Sequence, residues 1–456
     1  MQTLIRWSVD ALARRTVLAS LAGLGLLCCW SFASAQTIGE VEFARGVGFS
    51  QMAGESPRTL GKGLALREGD RLTTAEGAVA IVKLQDGTRM TVRPNSEMLI
   101  QQYKFRESAT DNSMVMQLLR GGFRAITGLI SKNSSDAARV VSKTATLGIR
   151  GTDFDARICA DDCRAESRKV AEKPRASTIL ASAKVVSFQG GIGAIDAEGV
   201  RRILVAGGSV YPGETVQTAA DARAVLAFRD DSRLTVGPGT RFRVDSFVFD
   251  AQNPREGRFL VSLLRGSMRA LTGLIGKANT RNVGFTTPTA TVGIRGTGLD
   301  LDCASDAACS LFTWLGSIEV TPNGQTAMQV LEAGQGLFVG ANEVRMLNTP
   351  TLEQLPRPDS VPIDVKQLFG QGIVDDAKDG LFVFVRDGHI EVLTGRERLQ
   401  LGRGETGFVG DDGLTVRPAL TPLFLEFDRI PMPNSKNPML STSFGDTGLR
   451  PLYQCR

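Results

Sequence analysis

The chain has very little histidine, tyrosine or tryptophan: one His, three Tyr and three Trp among 456 residues. With the single histidine at His389, a zinc site with several His ligands is excluded, and a Ser–His hydrolase would depend on that one residue. An excess of one charge is also missing, since 53 basic residues face 48 acidic ones and the formal net charge is +5. Nucleic-acid-binding proteins concentrate basic residues on one face, so the composition does not support a nucleic-acid partner.

Long apolar runs are confined to the N-terminus. Residues 16–30 form an apolar run after Arg14 and Arg15, and Ala33 to Ala35 supply the small residues typical of signal peptidase cleavage. The sequence therefore predicts a signal peptide over residues 1–35, cleaved after Ala35. The mature chain is expected in the periplasm, secreted or on the cell surface, with no transmembrane segment. The paired arginines leave the twin-arginine export route open beside the Sec route.

Two long stretches repeat at an offset of 145 residues. Residues 118–132 return as residues 263–277, and residues 144–152 return as residues 289–297. A shorter echo relates residues 316–340 to residues 388–410. Two related domains in tandem explain the long matches, and the echo predicts a smaller C-terminal module that repeats part of the unit.

The hydrophobic pattern is that of short strands separated by tight turns. β-Rich runs flank Asp86-Gly87, Asp230-Asp231 and Asp387-Gly388. Such pairs favour hairpin turns, because glycine and aspartate tolerate the backbone conformations that these turns need. We predict an all-β fold with three such hairpins, built either as stacked, solenoid-like coils or as a sandwich.

The repeats and the segments between them set the predicted boundaries. These are a signal peptide (1–35), a first domain (36–160), a connecting segment (161–182), a second domain (183–340), a Pro-containing linker (341–378), a partial β repeat (379–417) and an extended tail (418–456).

The repeated elements resemble the FecR domain, the periplasmic module of bacterial envelope proteins. In the first copy they are Gly69-Asp70, Asp86-Gly87-Thr88, Leu119-Arg120-Gly121, Thr127–Ile130 and Gly148–Thr152, and the second copy from Gly213 to Thr297 is similar. The resemblance implies a β-rich domain that binds partners and has no catalytic role. Founding members of the family act in iron-transport signalling and restrain a sigma factor. This sequence has a predicted leader where they have a cytoplasmic anti-sigma segment and a membrane helix, so we expect a free envelope protein.

Both copies carry two motifs, and each motif has two possible roles. The Gly-Ile-Arg-Gly-Thr motif is interpreted as a structural corner whose arginine pairs with Asp70, Asp153 or Glu214, with an anion site as the alternative. The Thr-Gly-Leu-Ile-x-Lys segment is either a packed loop or a partner-binding loop. The corner residues are Gly148, Arg150, Gly151, Thr152, Gly293, Arg295, Gly296 and Thr297, and the loop residues are Thr127, Gly128, Lys132, Thr272, Gly273 and Lys277.

Five cysteines remain after the predicted leader. Cys159 with Cys163, and Cys303 with Cys309, are interpreted as repeat-equivalent pairs that form local disulfides in an oxidising compartment. A metal site would need further ligands, so no metal or cofactor is predicted. Cys455 is left over and is either free or paired with another chain.

These features predict an exported, non-catalytic binding or scaffold protein that recognises an envelope protein or a polysaccharide through an edge strand or a stacked β face. One alternative is a component of an envelope signal-sensing pathway. Another is a polysaccharide-degrading enzyme on a β-helix, with Asp230-Asp231 or Asp375-Asp376 as its carboxylates. His389 follows an Asp-Gly pair and is expected at the surface. The sequence predicts no particular oligomeric state.

Overall fold

The computed structural model describes residues 36–425, except 134–136, 171–172, 297, 351 and 376–377. The predicted leader and residues 426–456, including Cys455, lie outside the described residues. Strands dominate the described chain, which confirms the all-β prediction. Within it the helices are short: α1 Leu129–Asn133, α2 Cys163–Ser167, α3 Leu274–Ala278 and α4 Val365–Phe369, with 3-10 turns at Pro254–Glu256, Thr280–Asn282, Pro358–Ser360 and Leu423–Leu425. None of these described helices is long or apolar enough to cross a membrane.

The strands follow one another at short intervals. The first group is β1 Thr37–Arg45, β2 Gly48–Gln51, β3 Arg58–Thr59, β4 Ala65–Arg67, β5 Arg71–Thr74, β6 Val79–Leu84, β7 Arg89–Val92, β8 Glu97–Lys104, β9 Ser113–Ile126, β10 Ala138–Val141 and β11 Thr146–Cys159. The second group is β12 Arg175–Ala176, β13 Ala183–Gln189, β14 Ile192–Ile195, β15 Arg201–Ile203, β16 Ser209–Val210, β17 Thr215–Thr218, β18 Arg223–Phe228, β19 Arg233–Val236, β20 Arg241–Val248 and β21 Arg258–Leu271. It continues with β22 Val283–Thr286, β23 Ala290–Ile294, β24 Gly298–Ser305, β25 Ala308–Leu315, β26 Ser317–Pro322, β27 Gln329–Glu332, β28 Gly336–Gly340 and β29 Val344–Leu347. The last group is β30 Gly380–Leu393, β31 Arg398–Gly402, β32 Thr406–Gly410, β33 Thr415–Val416 and β34 Leu420–Thr421.

These strands form two modules of the same design. Module 1 consists of β1–β11 together with β30–β33, and module 2 consists of β13–β29. In each module the strands make two hydrogen-bonded faces that enclose one apolar core, and long strands such as β9, β11 and β21 take part in both faces. In module 2 one face runs β13-β18-β19-β21-β24-β25-β28-β29 and the other runs β15-β14-β17-β20-β21-β22-β23-β26-β27.

Two of the three predicted hairpins are confirmed. β6 pairs with β7 around Asp86-Gly87, and β18 pairs with β19 around Asp230-Asp231. The third prediction is wrong, because β30 is one continuous strand that pairs with β11 along its length. Gly388 has a φ of +87° and lies at the register shift between β30 and β11. A side chain at this position would collide with the Gly151 carbonyl.

Module 1 is interrupted in sequence. β11 ends at Cys159, and its partner β30 begins at Gly380, the residue that Cys159 faces. In module 2 the corresponding strands β24 and β25 are joined directly by the turn at Asp306-Ala307. Module 2 is therefore inserted at the tip of a hairpin of module 1. The residues predicted as a separate C-terminal repeat at 379–417 instead complete module 1, because β30 pairs with β11 and its apolar side chains belong to the module 1 core.

The segments outside the modules pack against them. In the predicted connecting segment, Glu166 of α2 accepts hydrogen bonds from the buried Arg93 and Arg157 (both 3.0 Å). In the predicted linker, Leu355 and Phe369 are buried, and the Leu355 carbonyl accepts a hydrogen bond from Arg269 (2.6 Å). The described start of the tail forms β34, which pairs with β12. These segments thus pack against the modules and are not free linkers.

Candidate functional site

A surface groove of about 580 Å³ crosses four neighbouring strands of module 2. It passes over β17, β20 and β21 to the end of β22, strands that hydrogen-bond side by side. Because neighbouring strands lie about 4.8 Å apart, the groove extends for about 14 Å along the stacking direction. We call it the arginine groove, and its lining includes Thr218, Thr240, Arg241, Ser262, Arg265 and Thr286.

Two arginines face each other in this groove. Arg241 of β20 and Arg265 of β21 are directly opposite in the strand register, and both are exposed. Among the described residues that line the groove, Asp306 is the single acidic one. Like charges directly opposite one another destabilise a sheet, so the pair creates a local positive potential that a bound anion would relieve.

The corresponding place in module 1 is neutralised. There the opposed residues are Glu97 of β8 and Arg120 of β9. Glu97 also accepts a hydrogen bond from Arg71 at 2.8 Å. The positive pair is therefore specific to module 2. Arg241 and Arg265 were not predicted as site residues, although the presence of Arg241 where the first repeat has Glu97 is a signal in the sequence that could have identified them.

The repeated Thr-Gly-Leu-Ile segment of module 1 is fixed by a buried aspartate. The backbone N–H of Leu129 donates to the Asp86 carbonyl (2.8 Å), and Gly128 N–H donates to the Thr88 hydroxyl (2.9 Å). A side chain on Gly128 would collide with the Asp86 carbonyl, which explains the glycine. Thr127 is buried as well, whereas Lys132 is exposed.

Module 2 repeats this arrangement closely. Leu274 N–H donates to the Asp230 carbonyl (2.7 Å), and Gly273 N–H donates to the Ser232 hydroxyl (2.8 Å). Burial raises the pKa of Asp230, which is fully enclosed. Thr272 is buried and Lys277 is exposed. In both modules the repeated pattern of the segment is thus explained by packing, while the two lysines and the adjacent Leu129 and Leu274 are exposed and available to a partner.

The Gly-Ile-Arg-Gly-Thr motif lies where β11 passes from one face of module 1 to the other. Gly151 has a φ of +57°, and the register against β30 shifts at this point. Thr152 N–H donates to the Thr127 hydroxyl (2.8 Å), and the Thr152 hydroxyl donates to the His389 carbonyl (3.0 Å). Gly148 faces Glu391 in the register, and its counterpart Gly293 faces Glu319. The motif therefore joins three strands at a bend.

The second copy has the same bend, with Gly296 at a φ of +79°, while Thr297 lies outside the described residues. Arg295 donates to Glu319 (2.6 Å), a partner that the sequence analysis did not propose. The expected carboxylates accept from other arginines: Asp70 from Arg58, Asp153 from Arg124 and Glu214 from Arg202. Arg150 is half-buried beside β30. Whether either arginine binds an anion stays a prediction.

The model of the FecR protein family matches residues 70–169 and 214–319. Each module thus contains one FecR-like domain. The first FecR match ends just after α2, so it omits β30–β33, which complete module 1 after the insertion. The second FecR match ends within β26 and omits the last three strands of module 2.

Other comparisons add little to the FecR assignment. Two crystal structures of a candidate anti-sigma factor from Parabacteroides distasonis ATCC 8503 are 16% identical to this chain, with a TM-score of 0.24. The similarity covers 29% of this chain and 59% of the length of that protein. No curated protein matches the chain.

The two predicted disulfides are present, but they are not equivalent within the FecR repeat. Cys159, at the end of β11, is bonded to Cys163 of α2, whereas Cys303 and Cys309 face each other across the β24–β25 hairpin. The register places Ile158, not Cys159, at the position of Cys303, since Gly121 faces Ile158 and Gly266 faces Cys303. Cys159 and Cys303 are 144 positions apart, whereas the repeat offset here is 145. The two cysteines therefore occupy neighbouring, not equivalent, positions of the repeat.

His389 is buried, which contradicts the expected surface position. It lies on β30 between β11 and β31, where its Nε2 is 2.6 Å from Oε1 of Gln400. Burial lowers the pKa of His389 to about 3, and the nearby positive charge of Lys184 acts in the same direction. The side chain is therefore neutral at physiological pH and has a structural role.

Three buried charges hold the two FecR modules together. Lys184 of β13 in module 2 donates to Glu405 in the loop before β32 (2.9 Å), and Arg417 donates to the same carboxylate oxygen (3.0 Å). All three side chains are almost completely buried. Burial lowers the pKa of Lys184 to about 8, although the attraction of Glu405 opposes this shift. We call this contact the module junction.

Asp230 and Asp231 do not form a carboxylate pair for catalysis. Asp230 is buried and binds the backbone of α3, while Asp231 pairs with Arg233 (3.0 Å) on the surface. Asp375 is described, but Asp376 is not. Over the described ranges, no three His, Cys, Asp or Glu side chains are placed to hold a metal ion.

Proposed function

We propose that this protein is an exported, non-catalytic binding protein of the bacterial envelope, and that it holds an acidic polysaccharide in the arginine groove. The observation that carries the proposal is the opposition of Arg241 and Arg265 across β20 and β21. A guanidinium presents a planar fork of N–H donors that matches a carboxylate group. An anion between the two arginines would therefore gain two charge-assisted contacts and remove their mutual repulsion.

The shape of the groove favours a polymer. It is open and runs across four strands, and the half-buried Gln217 and the exposed Thr286 line it beside the arginines. Such polar side chains are partners for the hydroxyl groups of sugar rings. A neutral sugar would meet these side chains but leave the arginines without an anion, so we expect selection for sugars that carry carboxylates.

The same groove argues for binding without cleavage. Glycosidases place two carboxyl groups about 5 to 10 Å apart on either side of the scissile bond. Asp306 is the single carboxylate among the described residues of the lining. Binding without hydrolysis is also what the FecR resemblance implies.

Calorimetric titration of the mature chain from residue 36 tests the proposal. The probes are oligogalacturonate, a neutral glucan of the same length and inorganic phosphate. We expect oligogalacturonate to bind and the glucan not to bind. Phosphate binding of similar affinity would show a simple anion site and overturn the glycan assignment.

Paired variants locate the site. Arg241→Glu reproduces the charge pair of module 1 and is expected to weaken oligogalacturonate binding at least 10-fold. Arg120→Gln, at the position of module 1 that corresponds to Arg265, is the matched control and is expected to bind normally. Unchanged affinity in Arg241→Glu would refute the role of the groove.

The FecR match supports a second candidate, a component of an envelope signal-sensing pathway. In that case occupation of the groove would be reported to a membrane partner. Deletion of the gene would then change the transcriptional response to added oligogalacturonate, and the Arg241→Glu allele would reproduce the deletion. An unchanged response in both strains would argue against this candidate.

A further inference from the structure

Each module begins with a coil (β1–β4 in module 1, β13–β16 in module 2) and ends with one (β30–β33 in module 1, β26–β29 in module 2). Within the chain, the last coil of module 1 is covered by the first coil of module 2. Across the module junction, Lys184 of β13 donates to the Gln400 carbonyl of β31 (2.9 Å), and Arg403 N–H donates to the Tyr211 hydroxyl (2.7 Å). The approach is close, because the Gln400 side chain fills the space beside Gly207, where a β-carbon would stand. Gly402 lies against Ser209 in the same way.

The last coil of module 2 is equivalent but exposed. β27 corresponds to β31, and in the described chain it pairs with β26 on one side alone. Val330 stands at the position of Gln400, Glu332 at that of Gly402 and Met346 at that of Arg417. Met328, Val330 and Met346 are between 42% and 51% exposed. We call this surface the free end.

The first coil of module 1 is the counterpart of the coil that covers β31. β1 pairs with β4 as β13 pairs with β16, and the Gly63 and Gly207 N–H groups donate to Val41 and Val185 in the same way. Gly63 is exposed and has open space around it, whereas Gly207 is covered by Gln400. Ala65, at the position of Ser209, is exposed too. The surface that module 2 buries is thus left open on module 1.

We propose that the free end of module 2 binds the first coil of module 1 of a second copy. This contact would repeat the geometry of the module junction, with Val330 over Gly63 and Glu332 beside Ala65. Burial of Met328, Val330 and Met346 would supply its apolar contacts, and uncovered edge strands are common sites of such addition. Because the two surfaces differ, the contact does not close on itself, and it produces head-to-tail chains rather than a symmetric dimer.

Site-directed crosslinking tests the geometry. In the mature chain with Cys455→Ser, one preparation carries Ala65→Cys and another carries Glu332→Cys. We expect a disulfide-linked dimer on oxidation of the mixture and little in either preparation alone. The control mixture pairs Ala65→Cys with Val200→Cys, an exposed position away from the free end. Equal crosslinking in the control, or none in the first mixture, overturns the proposal.

Sedimentation of the variant without introduced cysteines provides the second measurement. We expect species larger than dimers whose fraction rises with concentration, and at least 10-fold weaker association after Val330→Glu. A monomer throughout, or a dimer that grows no further, refutes head-to-tail assembly. Oligogalacturonate titration of the same variant separates the two proposals, because Val330 lies outside the arginine groove and groove binding is expected to persist.

Discussion

The two modules differ in continuity, although their strands follow the same plan. In module 2, β24 and β25 are joined by a turn at Asp306-Ala307. At the same place in module 1, residues 160–379 are inserted between β11 and β30. The ends of that insertion stay side by side, since Asp161 N–H donates to Asp379 at 3.0 Å. An exposed hairpin tip can therefore carry a whole second copy of the fold without disturbing the strands that it joins.

The modules also end differently. Module 1 ends in buried charges, with Glu405 held by Lys184 and Arg417, whereas module 2 ends in exposed Val330 and Met346. The first pattern suits a permanent contact, because buried charges are costly once they are separated. The second suits a contact formed after folding. Four predictions, given in order of decreasing expected effect, test how the two modules differ.

Glu405→Ala is expected to have the largest effect on stability. It leaves Lys184 and Arg417 buried without their carboxylate, and removal of one member of such a cluster costs about 3–5 kcal/mol. Gln335→Ala, at the corresponding exposed position of module 2, is expected to cost less than about 1 kcal/mol. Urea unfolding of the mature chain measures both. Similar losses in the two variants would mean that the two ends do not differ in the way proposed.

His389 is expected to make module 1 sensitive to acid. Its pKa is lowered to about 3 in the folded state, against an ordinary value of 6.5, so the unfolded chain binds more protons between these values. Stability therefore falls as the pH drops through this window, by about 3 kcal/mol at pH 4. His389→Ser, which installs the residue found at the equivalent Ser317, removes this contribution. Unfolding curves at pH 7 and pH 4 measure the difference, and parallel pH dependences in the two proteins would contradict the prediction.

Each disulfide is expected to contribute about 2 kcal/mol, because both close short loops. The cysteines are 4 and 6 positions apart. The location of the effect should differ. Replacing Cys159 and Cys163 by serine is expected to speed hydrogen exchange at the start of β30, whereas replacing Cys303 and Cys309 affects β24 and β25. Exchange measured by mass spectrometry distinguishes these outcomes, and loss of protection spread evenly over both modules would contradict them.

Exchange of the groove charges is expected to have the smallest effect. Arg241→Glu replaces a like-charged cross-strand pair by an opposite one and should raise the free energy of unfolding by about 0.5 kcal/mol. Glu97→Arg makes the reverse change in module 1 and should lower it by a similar amount. Thermal unfolding at low salt measures both changes. A loss of stability in Arg241→Glu would show that the two arginines are not in conflict.

Local patterns in the sequence predicted much of the fold. The β6–β7 and β18–β19 hairpins follow from Asp-containing turns between apolar runs, and the close cysteine spacings predicted both disulfides. These features depend on residues that are near one another in the chain, so a single sequence is enough to find them.

The errors with the largest consequences depend on contacts across the insertion. β30 was expected to turn at Asp387-Gly388 and His389 to be exposed, but β11 runs alongside and buries both. The module junction was missed because Lys184 and Glu405 are 221 positions apart. One signal was available: the first repeat has no counterpart of residues 308–322 directly after Cys159, and the matching segment occurs after the second repeat.

The insertion also dictates an order of events during biosynthesis. When β11 emerges, the strand that must cover it has not yet been made, and the whole of module 2 is produced first. Strand pairings between distant segments form slowly, because the entropy of closing a long loop is lost before any stabilising contact forms. Once module 2 has folded, the ends of the insertion are adjacent, so β11 and β30 of module 1 are close enough to pair. Module 2 therefore assists the folding of module 1, and the pairing of β30 with β11 completes the fold.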